Sequence, residues 1–368
     1  MKDLSVLIKP ASSLCNMRCR YCFYADVSDK REIRSYGIMQ PETTEKVIDA
    51  LFADADDNAH ISIAFQGGEP TLAGICYFRH LIAYVEEHQK KKAVSVDYSI
   101  QTNGYLINEE WCELFRKHRF LVGISLDGPS EYHNRNRLDA AGKGTYQRLM
   151  SAIKCLRQYG IEFNILCVLT KDNARHPEKL WNFFLEQRLD YIQFIPCLPE
   201  LDEEDNTYSL TPQLFHDFYL SLFRLWLEQV KKRNYISIKL FDDIANMLVY
   251  SRLTGCGLNG SCNLQCIVEA DGSVYPCDFY VLDEYRLGNL TADPMPAIRK
   301  AYKDSSFHEL RRELPKVCQN CKFTKLCHGG CVRLRQSMYL QGDYCGYKKL
   351  LEEIGRPLMQ AAQFLAGL

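Results

Sequence analysis

Long apolar runs are missing from this chain of 368 residues. None approaches the roughly 18 consecutive apolar residues of a membrane span, so no membrane partner is expected. The start, Met1 to Ile8, already carries Lys2 and Asp3 and stops at Lys9 and Pro10, whereas a secretory signal needs about 7–15 unbroken apolar residues. A basic surplus is missing too: 45 Lys and Arg stand against 46 Asp and Glu, which argues against a protein built to neutralise nucleic-acid phosphates. Low-complexity tracts and internal repeats are absent as well. What is abundant is cysteine, with 17 residues. An odd count without a secretory signal fits a disulfide framework poorly; it suits the reducing cytoplasm, where clustered cysteines bind metals or do catalysis.

The first two hundred residues alternate between two textures. Strands are expected at Ser5–Lys9, His60–Phe65, Val94–Gln101, Leu121–Ser125, Glu162–Leu169 and Tyr191–Pro196, which are short and rich in apolar and β-branched residues. Helical spacing runs through Pro41–Ala53, Tyr77–Lys90, Glu109–Lys117, Thr145–Tyr159 and Glu178–Gln187. Strands that alternate with helices imply a parallel sheet, because parallel strands need crossover connections. Six such units fall short of the eight in a complete barrel, so a partial (β/α)6 TIM-like barrel is expected, with chemistry at the carboxyl ends of its strands. Beyond Pro196 come an acidic linker, Glu200–Asp205, and a long helical pattern, Pro212–Lys232, with Leu214, Phe218, Leu222 and Trp226 on one core-facing side.

Cys15, Cys19 and Cys22 follow the first strand with C-x3-C-x2-C spacing. Three thiolates on one loop hold three corners of a four-iron cluster and leave the fourth iron open to a ligand. A structural zinc site is the rival, but it takes four ligands, and the first histidine is His60. Farther on, Cys256, Cys262, Cys277, Cys318, Cys321, Cys327, Cys331 and Cys345 make two sets of four. The run Cys318-x2-Cys321-x5-Cys327-x3-Cys331 is a strong metal signal, with Gly329 and Gly330 free to make a sharp turn; two zinc sites are the alternative by spacing alone. Asp271-Gly272 between apolar alternation signals a hairpin that delivers Cys277 and then Asp278.

The triplet followed by β/α repeats resembles the radical S-adenosylmethionine (SAM) superfamily. That resemblance implies a SAM molecule chelated by the open iron and cleaved to a 5′-deoxyadenosyl radical. In the matching motifs Tyr21 would pack near the adenine, and Gly68 and Glu69 of Gln66-Gly67-Gly68-Glu69-Pro70 would bind the SAM amine region. Ser125 and Arg137 would bind its carboxylate or ribose, with Arg135 competing, and Leu198 would contact the adenosine. The later cysteines resemble the C-terminal SPASM extension with two auxiliary four-iron clusters. By that likeness Cys256, Cys262, Cys277 and Cys331 hold one, and Cys318, Cys321, Cys327 and Cys345 the other. Cys266 competes with Cys262, while Cys76, Cys112, Cys155, Cys167, Cys197 and Cys266 are expected to be ordinary buried residues.

Nearly the full chain resembles the anaerobic sulfatase-maturating subgroup, in the strings LIKPASSLCNMRCRYCFY, AFQGGEP, QTNG, LVGISLDGP, EFNILCV and CGLNGSC…DGSVYPCDFY. This implies oxidation of a Cys or Ser in a C-x-P-x-R or S-x-P-x-R segment of an unfolded sulfatase to Cα-formylglycine. Asp278 would be the proton acceptor, an auxiliary cluster would take the second electron, and flavodoxin or ferredoxin would be the donor. Tyr24, Gln66 and Asn103 are candidate peptide contacts at the barrel mouth. A SPASM maturase that crosslinks a ribosomal peptide would share the same apparatus, and a zinc-clustered interaction module is the reading outside enzymes. The expected domains are residues 1–233 for the barrel, 234–255 for a bridging helix, 256–348 for the cluster domain and 349–368 for a terminal helix.

Overall fold

The computed structural model describes residues 1–252, 254–311 and 314–366. Along the chain run β1 (Asp3–Ile8), α1 (Phe23–Asp29), α2 (Pro41–Asp54), β2 (His60–Phe65), α3 (Ile75–Gln89), β3 (Ser95–Thr102), α4 (Glu109–Lys117), β4 (Leu121–Ser125), α5 (Ser130–Asn136) and α6 (Tyr146–Gln158). Next come β5 (Phe163–Leu169), α7 (Pro177–Glu186), β6 (Tyr191–Pro196), α8 (Pro212–Lys231), β7 (Ser237–Ile238) and α9 (Lys239–Tyr250). The C-terminal part holds β8 (Ile267–Val268), β9 (Ser273–Tyr275), β10 (Gly288–Asn289), α10 (Met295–Asp304), α11 (Lys316–Gln319), α12 (Thr324–Cys327), β11 (Leu340–Gln341), β12 (Tyr344–Cys345) and α13 (Gly346–Ala366). Strands β1 to β6 each lead into helix, which makes the fold α/β with a partial barrel of six repeats. The short helices α1 and α5 lie outside the expected pattern. Both have seven residues, too few to show a periodic apolar face.

Two compact units gather discontinuous segments. The first comprises Met1–Ser125, Arg137–Phe163 and Asn263–Glu309. In it β1 pairs in parallel with β2 from Asp3↔His60 to Ile8↔Phe65, β2 pairs with β3, and β3 with β4. The alternating burial of β1 and β2 places Val6, Ile8, Ile61, Ile63 and Phe65 in the core, each at most 1% exposed. Caps set the helix starts: Pro41 opens α2, and the Asn108 side chain accepts from the Trp111 N–H to open α4. The other side of β1 takes the C-terminal hairpin. Strand β8 pairs with β1 in parallel at Leu7↔Ile267 and Ile8↔Val268, and β9 turns back antiparallel.

The second unit comprises Leu126–Asn136, Asn164–Cys262 and Leu310–Leu368. Here β5, β6 and β7 pair in parallel, and α8 buries Phe215, Phe218, Leu222 and Trp226. Leu214, expected among them, is only half-buried, and its neighbour Phe215 takes the core-facing position. Trp226 donates its ring N–H to the Ile236 carbonyl at 2.8 Å, which fixes the chain reversal into β7. Helix α13 packs on α8 and α9. Among the described residues no helix is long and apolar enough to cross a membrane.

Candidate active site

Cys15, Cys19 and Cys22 sit on the loop between β1 and α1, with Cys22 immediately before the helix. Burial pushes the Cys15 thiol up to about 11. Its sulfur accepts the Met17 N–H at 3.4 Å and faces the Asn103 amide at 3.8 Å. The loop after β2 braces this one by backbone bonds, Gly68 N–H to Ser12 O at 2.9 Å and Glu69 N–H to Leu14 O at 2.8 Å. A Cβ on Gly68 would lie 2.1 Å from the Leu14 oxygen. The glycine is therefore demanded by contact with the cysteine loop itself.

Glu69 is 1% exposed and fully committed. One oxygen accepts from the Thr71 N–H, the Thr71 hydroxyl and the Thr102 hydroxyl, and the other from the Asn103 N–H at 2.7 Å. Burial raises its pKa, and these donors pull it back. The Asn103 side chain donates 2.8 Å to Asn16, next to Cys15. Asn103 thus faces the cysteine loop, where the sequence suggested a peptide contact. Arg137 is buried with its guanidinium 5.6 Å from the Tyr21 ring centroid. Its competitor Arg135 is exposed and paired with Asp172. Ser125 ends β4 half-buried; Leu198, in the second unit just past β6, is buried.

The hairpin turns at Asp271-Gly272, where Gly272 takes φ +87° and the Asp271 side chain accepts the Ser273 N–H. Because β8 runs beside β1, the hairpin's exit delivers Asp278 to the loops that follow β1 and β2. One Asp278 oxygen, Oδ2, accepts the Tyr24 hydroxyl at 2.5 Å and the Gln66 amide at 3.0 Å. Gln66 also donates to the Tyr24 oxygen at 2.5 Å. The other oxygen, Oδ1, is buried and has no hydrogen-bond partner among the described residues. Burial raises the Asp278 pKa, with Lys9 and the Tyr24 hydrogen bond pulling it back. Tyr24 is pushed well above its usual value by burial and then by the Asp278 charge.

Behind this group lies a buried ion cluster absent from the sequence expectations. Lys9 Nζ is 3.3 Å from Glu269 Oε1 and 4.0 Å from Asp278 Oδ1, and it stands 4.9 Å from the Tyr24 ring centroid. Arg31 completes the cluster, 2.7 Å from the same Glu269 oxygen. Burial alone would raise Glu269, but Lys9 and Arg31 hold it below its ordinary value. The available signal was a Glu inside the apolar alternation Ile267-Val-Glu-Ala and a Lys ending an apolar strand.

In the second unit Cys318, Cys321, Cys327 and Cys345 line one pocket together with Tyr339 and Lys348. Four thiols around one cavity are the donor set of a four-iron cluster, and three on the β1–α1 loop are the set of an open one. Burial raises the thiols of Cys318, Cys327 and Cys345. Gly330 takes φ +66°, and a Cβ there would meet the Tyr339 ring at 2.2 Å. Tyr339 donates to the Gly257 carbonyl at 2.7 Å, which also accepts the Cys331 N–H at 3.0 Å. Cys256 (exposed), Cys262 and Cys331 belong to this unit, and Cys277 to the first. Among the described residues no three His, Cys, Asp or Glu side chains gather as a single metal ion requires.

Of the remaining cysteines, Cys266 is 2% exposed, with its thiol pushed to about 12 by burial. Cys112, Cys167 and Cys197 are buried and Cys155 is half-buried. Cys76 is exposed near the start of α3, so burial does not describe it.

Residues 10–184 match the radical SAM superfamily, and residues 260–322 an iron-sulfur cluster-binding domain. A cysteine-type anaerobic sulfatase-maturating enzyme of Clostridium perfringens is 44% identical over 92% of this chain and 91% of its own. One of Clostridium novyi is 40% identical over 100% and 99%. A serine-type enzyme of Bacteroides thetaiotaomicron is 28% identical over 93% and 86%. The solved structure described as native anSMEcpe with bound AdoMet superposes with a TM-score of 0.89 at 40% identity, covering 98% of this chain and 99% of that one. Another carries AdoMet and the Cp18Cys peptide, with the same TM-score, identity and coverage.

Proposed function

This chain belongs to the anaerobic sulfatase-maturating enzymes, and from that footing we propose that it oxidises a sulfatase cysteine to Cα-formylglycine. Cysteine is preferred to serine in this reading because the relatives at 44% and 40% identity are cysteine-type, while the serine-type one stands at 28%. When bound, SAM and the cluster supply the one-electron chemistry that removes a hydrogen atom from the substrate Cβ.

The chain's own residues then divide the remaining tasks. Cys15, Cys19 and Cys22 hold the open cluster, and Tyr21, Gly68, Glu69, Ser125, Arg137 and Leu198 frame SAM. Glu69 serves by fixing the cysteine loop to the end of β3. Asp278 accepts the substrate thiol proton, and Tyr24 and Gln66 hold its second oxygen in place. The eight later cysteines hold two auxiliary clusters in the sets given by the sequence. A flavodoxin or ferredoxin donates electrons, and the reaction proceeds in the cytoplasm.

The observation that carries this reading is the asymmetry of Asp278. Oδ2 has two donors, while the buried Oδ1 has none. A buried carboxylate oxygen left bare costs free energy, and a substrate thiol would relieve it. The neighbouring Lys9 favours the ionised form that a base requires.

The test is anaerobic incubation of the reconstituted, reduced enzyme with SAM and a C-x-P-x-R peptide. Formylglycine should appear by mass spectrometry. Asp278→Asn should abolish it while SAM is still cleaved. Cleavage of SAM with every such peptide left unmodified would overturn the assignment.

A further inference from the structure

Charge in this nearly neutral chain is unevenly spread. Residues 314–350 contain Lys316, Lys322, Lys325, Arg333, Arg335, Lys348 and Lys349 against a single carboxylate, Asp343. The rest of the chain is therefore net acidic. Arg333 is 5% exposed and turned inward, donating to the Pro199 carbonyl. The lysines do the opposite: Lys316, Lys322, Lys325 and Lys349 are exposed, and Lys348 lines the four-cysteine pocket while its backbone N–H donates to the Cys345 sulfur at 3.4 Å.

Neutralisation is slight. Glu352 is shared, 3.2 Å from Lys322 and 3.9 Å from Lys349. Among the described residues no carboxylate lies within ion-pair distance of Lys316, Lys325 or Lys348. Lys322 also stands 5.1 Å from the Phe323 ring centroid, which keeps its charge beside the pocket lining. Scattered surface lysines usually mean only solubility. Here Lys348 lines a pocket that gathers four thiols, and Lys316, Lys322, Lys325 and Lys349 each adjoin one of its lining residues in the chain.

We propose that this lysine rim is the docking surface for a small acidic one-electron carrier protein. The proposal rests on the reading that Cys318, Cys321, Cys327 and Cys345 hold a cluster. Four thiolates saturate such a cluster, so it has no iron to offer a substrate and is useful only for moving electrons. Those electrons need an exit or entry at the surface. A positive rim steers a negative partner to that point and orients it there. In the exchange one electron passes between cluster and carrier, with no bond made or broken. Most of the affinity is electrostatic, so it falls with salt.

The probe is a bacterial flavodoxin, an acidic one-electron carrier, titrated against the holoenzyme by calorimetry across ionic strength. Lys316→Glu/Lys325→Glu/Lys348→Glu should weaken low-salt binding at least about tenfold and flatten its salt dependence. A control pair, Lys90→Glu/Lys91→Glu at the far end of α3, should bind like the wild type. If charge reversal lowers iron content, Lys316→Gln/Lys325→Gln/Lys348→Gln is measured in its place. Wild-type affinity in the triple variant overturns the proposal, and so does an equal loss in the control pair or weakened binding of the substrate peptide alone. Failure of the parent reading looks different. It would leave the wild type without formylglycine under a chemical reductant, whereas failed docking leaves that reaction intact.

Discussion

Tyr24 donates a 2.5 Å hydrogen bond to Asp278 across 254 residues of sequence. Each lies beside a proposed cluster ligand, Tyr24 two residues after Cys22 and Asp278 directly after Cys277. The bond therefore ties the cysteine loop of β1 to the exit of the hairpin and aims one oxygen of the carboxylate. Tyr24→Phe removes that donor and leaves Gln66 alone on Oδ2. A bond to a charged group is worth about 1.5–3 kcal/mol, so peptide oxidation should fall roughly tenfold to a hundredfold. SAM cleavage should continue, lowering the ratio of formylglycine to cleaved SAM. An unchanged ratio would remove Tyr24 from the mechanism.

Glu269 makes stability depend on acid. Lys9 and Arg31 overcome its burial and hold its pKa below the ordinary 4.5. A depressed carboxylate gives its full stabilisation above the unfolded value and loses it as pH falls through the folded one. Denaturant midpoints of the anaerobic holoenzyme should therefore drop as pH falls below about 4.5, with a shallower drop in Glu269→Gln. That variant also leaves Lys9 and Arg31 buried without their shared anion, a loss of about 3–5 kcal/mol at neutral pH.

Two glycines should respond in opposite senses to alanine. Gly68→Ala drives a Cβ to 2.1 Å from the Leu14 oxygen, and backbone cannot yield as a flexible side chain does. The cysteine loop must move, and about four irons per chain should be lost from metal analysis. Gly355→Ala lies inside α13, where the added Cβ meets only Leu248 at 3.9 Å. It should stabilise by about 0.5–1 kcal/mol with iron content unchanged.

Gly330→Ala probes the second unit. Its Cβ would enter the Tyr339 ring at 2.2 Å, and that ring is buried and anchored on the Gly257 carbonyl. Displacing it opens the wall of the four-cysteine pocket. Faster iron release to a chelator is expected, with the β1–α1 site and its SAM cleavage retained. Release at the wild-type rate would show that the ring does not guard the pocket.

Much of this was readable from residue types. The strands His60–Phe65, Leu121–Ser125 and Tyr191–Pro196 fall where apolar and β-branched runs put them, because short parallel strands carry a local signal. The Asp271-Gly272 turn was readable for the same reason. The partner of that hairpin was not. Nothing local in Ile267–Val268 names β1 as its neighbour, and only tertiary packing makes Glu269 the anion for Lys9 and Arg31. Asn103 and Gly68 show a second kind of illegibility. Their residue types suggest ligand contacts and say nothing of the cysteine loop, which both also shape. Type and spacing name the donors of a site but not its scaffolding.

The pairing of β1 with β8 also bears on the order in which the protein can be made. Leu7 and Ile8, which end the first strand, are made long before their partners, and their second hydrogen-bonding edge stays bare until Ile267–Val268 has been synthesised. For most of translation the first strand is thus an unprotected template for other chains. A product halted at residue 250, though it contains every barrel strand, would keep that edge permanently open. It should therefore collect as aggregate while the full-length chain remains dispersed.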